Sequence, residues 1–196
     1  MIEIETRQSF LSTNFRTELV DEKLYLEGYF IRFNEETELW PDVYEEVLPE
    51  SVKESINNDI RCLFNHDTGS VLGRTSNNTL KLTVDDKGVF GSVEVNQEDP
   101  EAMSVYSKVK RGDIDACSFG FNVRKEEIED RDDGTTKFVL KDIDLHEVSI
   151  VTFPAYPTTA IAARNKDIEL DKRRKLEIKK KEAREKIHGI KTIDFK

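Results

Sequence analysis

The chain has 196 residues, of which 37% are hydrophobic and 36% charged, and its 30 basic and 40 acidic residues give a formal net charge of -10. Such a chain can hold one large domain, or one domain with an appendage, and its acidic balance argues against nucleic acid, which needs clustered Lys and Arg. No apolar run approaches the roughly 18 residues of a membrane span, the opening MIEIETRQSF lacks a secretory pattern, and Cys62 and Cys117 suit neither metal spacing nor a disulfide framework, so a reducing intracellular setting is expected.

Strand signals dominate residues 1–163. LYLEGYFIRF (24–33) is rich in aromatic and β-branched residues and predicts a strand bent at Gly28. LPESVKESINND predicts a short helix, with Pro49 near its start and Val52 and Ile56 four residues apart. IRCLFNH (60–66) predicts a strand ending at His66, with Asp67, Thr68 and Gly69 as turn residues. LKLTVD (80–85) and GVFGSVEV (88–95) alternate about Asp86-Lys87, as in a hairpin. DPEAMSVYSKVKRG (99–112) predicts a helix with Asp99 as cap, Pro100 at the first position and Gly112 at the end. IDACSFGFNV (114–123) and TKFVLKDIDLHEVSIVTF (136–153) predict two more strands, with the acidic EEIEDRDDGTT between them as a solvated loop. The fold class is therefore α+β and mainly β.

Charge divides the chain. Residues 165–196 carry 12 Lys or Arg against 7 Asp or Glu, whereas residues 1–164 carry 18 against 33. The tail NKDIELDKRRKLEIKKKEAREKIHG predicts a charged helix stopped by Gly189. Leu176, Ala183, Ile187 and Ile190 give it a thin apolar stripe. A solvated helix and a segment that docks on a partner both fit this pattern. The expected organisation is a domain over 1–163 and a charged helical tail over 164–196.

Three strands carry the candidate chemistry. His66 stands where a strand meets a loop, a common place for functional groups; it is either a general base or a structural histidine. Alternation puts Ile114, Ala116, Ser118, Gly120 and Asn122 on one face of their strand, and Asp115, Cys117, Phe119, Phe121 and Val123 on the other, which reads as the core face. The small neighbours of Ser118 predict an open face around its hydroxyl. In LHEVSIV, Leu145, Glu147, Ser149 and Val151 alternate with His146, Val148 and Ile150. A carboxylate in so apolar a strand needs a partner. A histidine would serve and would be held in one tautomer; an ordinary ion pair with Lys or Arg would serve as well. The chain order is His, Ser, acid. No GxSxG elbow, HExxH, P-loop, GxGxxG or EF-hand spacing occurs.

Taken in order, GYFIRFN, YEEVLPESVKESI, LFNHD with LGRT, LKLTVDDKGVFGSVEV, DIDACSFGF and LHEVSIVTFPAYPTTAIAAR resemble the prohead maturation proteases of tailed bacteriophages. The segments cover about residues 20 to 164. That family is related in fold to the herpesvirus assembly proteases. The resemblance implies a barrel-like antiparallel β core with flanking helices. It implies a serine endopeptidase with Ser118 as nucleophile, His66 as base and Glu147 as the acid that orients the base. The herpesvirus relatives use a second histidine as third member, so His146 competes with Glu147. Arg74 and Arg164 are candidate helpers. No cofactor or metal is implied. The implied partners are the major capsid protein and scaffold as substrates, the chain itself by self-cleavage, and a second copy in a homodimer, with no nucleic acid and no membrane. The implied location is the host cytoplasm, inside the assembling prohead. A catalytically inactive scaffold or capsid-assembly module, and a generic β-rich binding domain, are the readings from other classes.

Overall fold

The computed structural model of the chain describes residues 5–9, 16–20, 22–153 and 180. Along the described residues run strands β1 (Glu5–Ser9), β2 (Arg16–Val20), β3 (Lys23–Arg32), β4 (Thr37–Trp40), β5 (Val43–Val47), β6 (Arg61–Phe64), β7 (Asp67–Arg74), β8 (Leu80–Val84) and β9 (Gly88–Glu94). Helix α1 (Pro100–Arg111) precedes β10 (Ala116–Asp130) and β11 (Thr136–Val151). These elements all lie in one unit, residues 1–156. The expected domain boundary at 163/164 and the charged tail helix lie outside the described residues, Lys180 apart.

The strands form two sheets. In the larger, β1, β10, β11, β5 and β4 follow one another, with β6 also on β11 and β7 on β6; in the smaller the order is β2, β3, β9, β8. Neither sheet closes, which corrects the expected barrel-like core. Closure needs the two edge strands of a sheet to meet. Here β1 holds one edge, while β4 and β7 end the other. The purely antiparallel expectation is corrected too, because β11 pairs in parallel with β5 through Thr136–Leu140 and with β6 through Glu147–Ile150. Sixteen residues of β11 give both short strands room on one side, while β10 lines its other side throughout.

Local sequence explains most elements. The Asp99 side chain caps α1 by accepting from Glu101 N at 2.9 Å, Pro100 supplies a first-turn residue with no N–H to satisfy, and Gly112 at φ 83° ends the helix in the left-handed region. The helix buries Ala102, Val105, Tyr106 and Val109, at about 1.5–3 kcal/mol for each large apolar side chain removed from water. β8 and β9 form the expected hairpin around Asp86-Lys87. LPESVKESINND yields only a 3-10 turn over Pro49–Val52. The irregularity in β3 falls between Tyr29 and Ile31, not at Gly28. The acidic stretch after Val123 is not a loop: β10 continues to Asp130 and β11 starts at Thr136, so only the short turn around Gly134 is loop.

The two sheets share one core. Leu26, Phe30, Ile31, Val89 and Val93 from the smaller sheet join Cys117, Phe119, Phe121, Leu140, Ile143, Leu145, Val148 and Ile150 from the larger. Alternation on β11 has a break that the sequence pattern does not show. Gly120 pairs Glu147 while Phe121 pairs Leu145, so His146 is the extra residue of a β-bulge. The bulge shifts the alternation by one residue. Leu145 and Ile143 therefore join Val148 and Ile150 in the core, and His146 does not share their face.

Candidate active site

Ser118 lies on β10, directly opposite Ser149 of β11, and Gly120 lies opposite Glu147. Residues facing each other across a ladder project to the same side. Ser118, Gly120, Glu147 and Ser149 therefore share one face, and the expected apolar face of β10 supplies Cys117, Phe119 and Phe121 to the core. Cys117 is removed from the chemistry: its thiol donates to Tyr29 O at 3.1 Å, on the core side. Burial likewise pushes the Cys62 thiol well above its ordinary pKa.

His66 reaches this face from the turn between β6 and β7. Phe64 pairs Asp67, so Asn65 and His66 are the two central residues of a tight hairpin. Their φ values are 52° and 59°, as a type I′ turn demands. Asn and His tolerate the left-handed region better than most side chains. The turn is fastened to the end of β11 at three points. Asn65 N donates to Ile150 O at 2.9 Å. Thr152 N donates to Asn65 Oδ1 at 2.8 Å, and Asn65 Nδ2 donates to Thr152 Oγ1 at 3.4 Å. His66 was expected to end a strand before a turn at Asp67–Gly69; instead it is inside the turn, and Asp67 already begins β7. Asn65 was not singled out from the sequence, although Asn at the head of a two-residue loop between strand-like runs is a hairpin signal.

The carboxylate and the imidazole meet. His66 Nδ1 lies 2.7 Å from Glu147 Oε1. Their side chains are 17% and 11% exposed, so the contact is shielded enough from water to hold one geometry. Ser149 Oγ donates to the second oxygen, Oε2, at 2.6 Å. With Nδ1 on the carboxylate, the other ring nitrogen is the one left for proton transfer: Nε2 is buried and has no hydrogen-bond partner among the described residues. Glu147 also lies over Gly120, where a Cβ would come within 2.4 Å of Oε1. Of the two kinds of partner open to Glu147, a histidine rather than a Lys or Arg is the one it meets, and a serine hydroxyl joins it.

The remaining candidates fall elsewhere. His146 is the extra residue of the bulge, off the core face like Glu147, but the carboxylate that meets His66 is that of Glu147. Arg74 ends β7, away from His66, and its Nε donates to Asp59 at 2.8 Å. That bond holds the Asp59 carboxyl well below the usual carboxylate range. Arg164 lies outside the described residues. The face of Ser118 is not open as expected, because Ser118 is 0% exposed. Among the described residues no cluster of three or more His, Cys, Asp or Glu is placed to hold a metal ion, and no helix is long and apolar enough to cross a membrane.

Comparison with known proteins bears on the family and the fold of the chain. The prohead protease of Escherichia phage T5 is 30% identical over 92 residues, which make up 47% of this chain and 40% of that protein. The match thus spans well under half the length of that relative. The solved structure of the bacteriophage T4 capsid assembly protease superimposes with a TM-score of 0.51 at 12% identity, over 76% of this chain and 97% of that one, a likeness of fold. The family model for the caudovirus prohead serine protease matches residues 12–174. On the length of that match, this chain belongs to the caudovirus prohead serine protease family.

Proposed function

We propose that the chain is a serine endopeptidase of capsid maturation, with Ser118 as nucleophile, His66 as general base and Glu147 as the acid that orients it. The observation that carries this reading is the 2.7 Å contact between His66 Nδ1 and Glu147 Oε1 on the face that also holds Ser118. A carboxylate on Nδ1 fixes the tautomer that leaves Nε2 free to accept a proton, and it stabilises the imidazolium that then forms. His66 takes the proton as Ser118 Oγ attacks the peptide carbonyl. It next gives that proton to the leaving amine, and water hydrolyses the acyl-enzyme. Glu147 is favoured over His146 as third member because Glu147 touches the base and His146 lies on the bulge.

The substrates of this reading are the scaffolding region of the major capsid protein, any separate scaffold protein, and the chain itself, cut within the assembling prohead of the host cell. A homodimer belongs to the same reading by analogy with the herpesvirus assembly proteases. Full burial of Ser118 means that the face around the hydroxyl opens before a peptide binds. The same burial favours the second reading, a capsid-assembly module without catalysis.

Co-expression with the cognate capsid protein separates the two. Fragment masses are read for the wild type and for Ser118→Ala. Loss of a nucleophile costs on the order of a million-fold in rate, so trimming by the wild type and none by Ser118→Ala is the expected result. Equal trimming by both overturns the nucleophile. No trimming by either, in assembled proheads, favours the assembly module.

A further inference from the structure

We infer that Ser149 is a positioning residue of this site, acting through Glu147 to hold His66 in its reactive orientation. The inference rests on the catalytic reading of Ser118, His66 and Glu147. Ser149 and Glu147 are two residues apart on β11, so their side chains rise side by side from one face. Ser149 is 0% exposed and Glu147 8%. The carboxylate is committed at both oxygens, with Oε1 on His66 Nδ1 at 2.7 Å and Oε2 accepting from Ser149 Oγ at 2.6 Å. Each contact restrains rotation about the bond that carries the carboxylate, and the two together leave it one setting.

The third restraint is the floor. Glu147 rests on Gly120, its partner across the ladder, with no side chain between them. Ser149 also lies directly opposite Ser118 in the same ladder, and opposite Leu63 in the strand that leads into the His66 turn. It thus stands between the strand of the nucleophile and the hairpin of the base. A hydroxyl that only filled space there could be removed, leaving the methyl of alanine, at little cost. A hydroxyl that sets the carboxylate could not, because Oε2 would be left buried without its donor and Oε1 would be free to turn from His66.

The test uses the full chain as wild type, Ser149→Ala, Ser149→Cys and Ser118→Ala. Cleavage kinetics are measured on capsid protein. Removing a hydrogen bond to a charged group should lower kcat roughly ten- to a hundred-fold in Ser149→Ala, with KM within about twofold because the residue touches no substrate. Ser149→Cys keeps the volume and offers a weak S–H donor; it should fall between the two, and it decides the matter if Ser149→Ala fails to fold. A second readout needs no turnover. In ¹⁵N-histidine-labelled Ser118→Ala chain, the Nδ1–H resonance of His66, assigned by its loss in His66→Gln, should broaden or move when Ser149 is also replaced. A folded Ser149→Ala with wild-type kcat and an unmoved His66 resonance overturns the inference. Cleavage that survives in Ser118→Ala overturns the catalytic reading instead, and the resonance then still decides whether Ser149 sets the imidazole.

Discussion

The two ends of β11 carry the same problem and solve it in opposite ways. At its start, Lys137 is 12% exposed and meets Glu46, which is 15% exposed, and also Glu36 at 3.1 Å. Near its end, Glu147 is 11% exposed and meets His66, 17% exposed. Both ends hold a shielded carboxylate, and both receive a parallel neighbour strand on the same side. At the first end the partner is an ammonium that stays charged at neutral pH. Its charge satisfies the acids and nothing further can follow. At the second end the partner is an imidazole with a second nitrogen, and the remaining carboxylate oxygen is held by a neutral hydroxyl. Similar burial therefore produces an inert ion cluster in one place and, on the proposed reading, a proton-transfer device in the other.

The largest break in this comparison comes from Glu147→Gln. The shape survives, but an amide presents an NH₂ group or a neutral oxygen to Nδ1 and no longer enforces the tautomer. Steady-state cleavage should show kcat lower by about four orders of magnitude, with folding intact by circular dichroism. Next comes Gly120→Ala. A methyl 2.4 Å from Oε1 must displace the carboxylate, and a misplacement of about 1 Å costs roughly a hundredfold. The same assay should show that loss in kcat, while β10 stays paired with β11. Wild-type kcat in Gly120→Ala would show that the carboxylate has room to spare.

The smallest effect belongs to the inert end. Hydrogen bonding to Glu46 and then to Glu36 raises the Lys137 pKa above its ordinary value of 10.5. A lysine whose pKa is higher in the folded than in the unfolded chain stabilises the fold fully below the unfolded value. That contribution is lost as pH rises through the folded value. Urea unfolding of the wild type should thus show stability declining above about pH 10.5. In Lys137→Met that part of the decline should be absent. The cost of the substitution at neutral pH should be about 1–3 kcal/mol, because it leaves the shielded Glu46 carboxylate without its partner, and kcat should not change. A change in kcat would mean that the two ends of the strand are coupled.

Much of this molecule was legible from residue order. The capped helix at Asp99–Gly112, the hairpin about Asp86-Lys87 and the apolar face of Cys117, Phe119 and Phe121 follow from rules that act within a few residues. Other features escaped for identifiable reasons. Glu126–Asp130 reads as solvated loop because charge dominates it, yet its backbone pairs with Thr136–Leu140, where packing and ladder hydrogen bonds outweigh local preference. Asp67–Gly69 reads as turn, yet the turn begins two residues earlier, at Asn65-His66. The faces of LHEVSIV read as simple alternation, yet the bulge at His146 reverses them toward the N-terminal side.

His66, Ser118 and Glu147 were chosen from the sequence by chemistry and by family resemblance, since a carboxylate in an apolar strand demands a partner wherever it lies. Which partner it finds is a matter of register. The pairing of β11 with β10 puts Glu147 over Gly120 and Ser149 opposite Ser118, and the pairing of β11 with β6 brings the His66 turn to the same face. A shift of one residue in either ladder would turn these side chains to the other side of the sheet. Residue types are therefore local information, whereas their convergence depends on contacts between residues 81 positions apart in the chain, as His66 and Glu147 are.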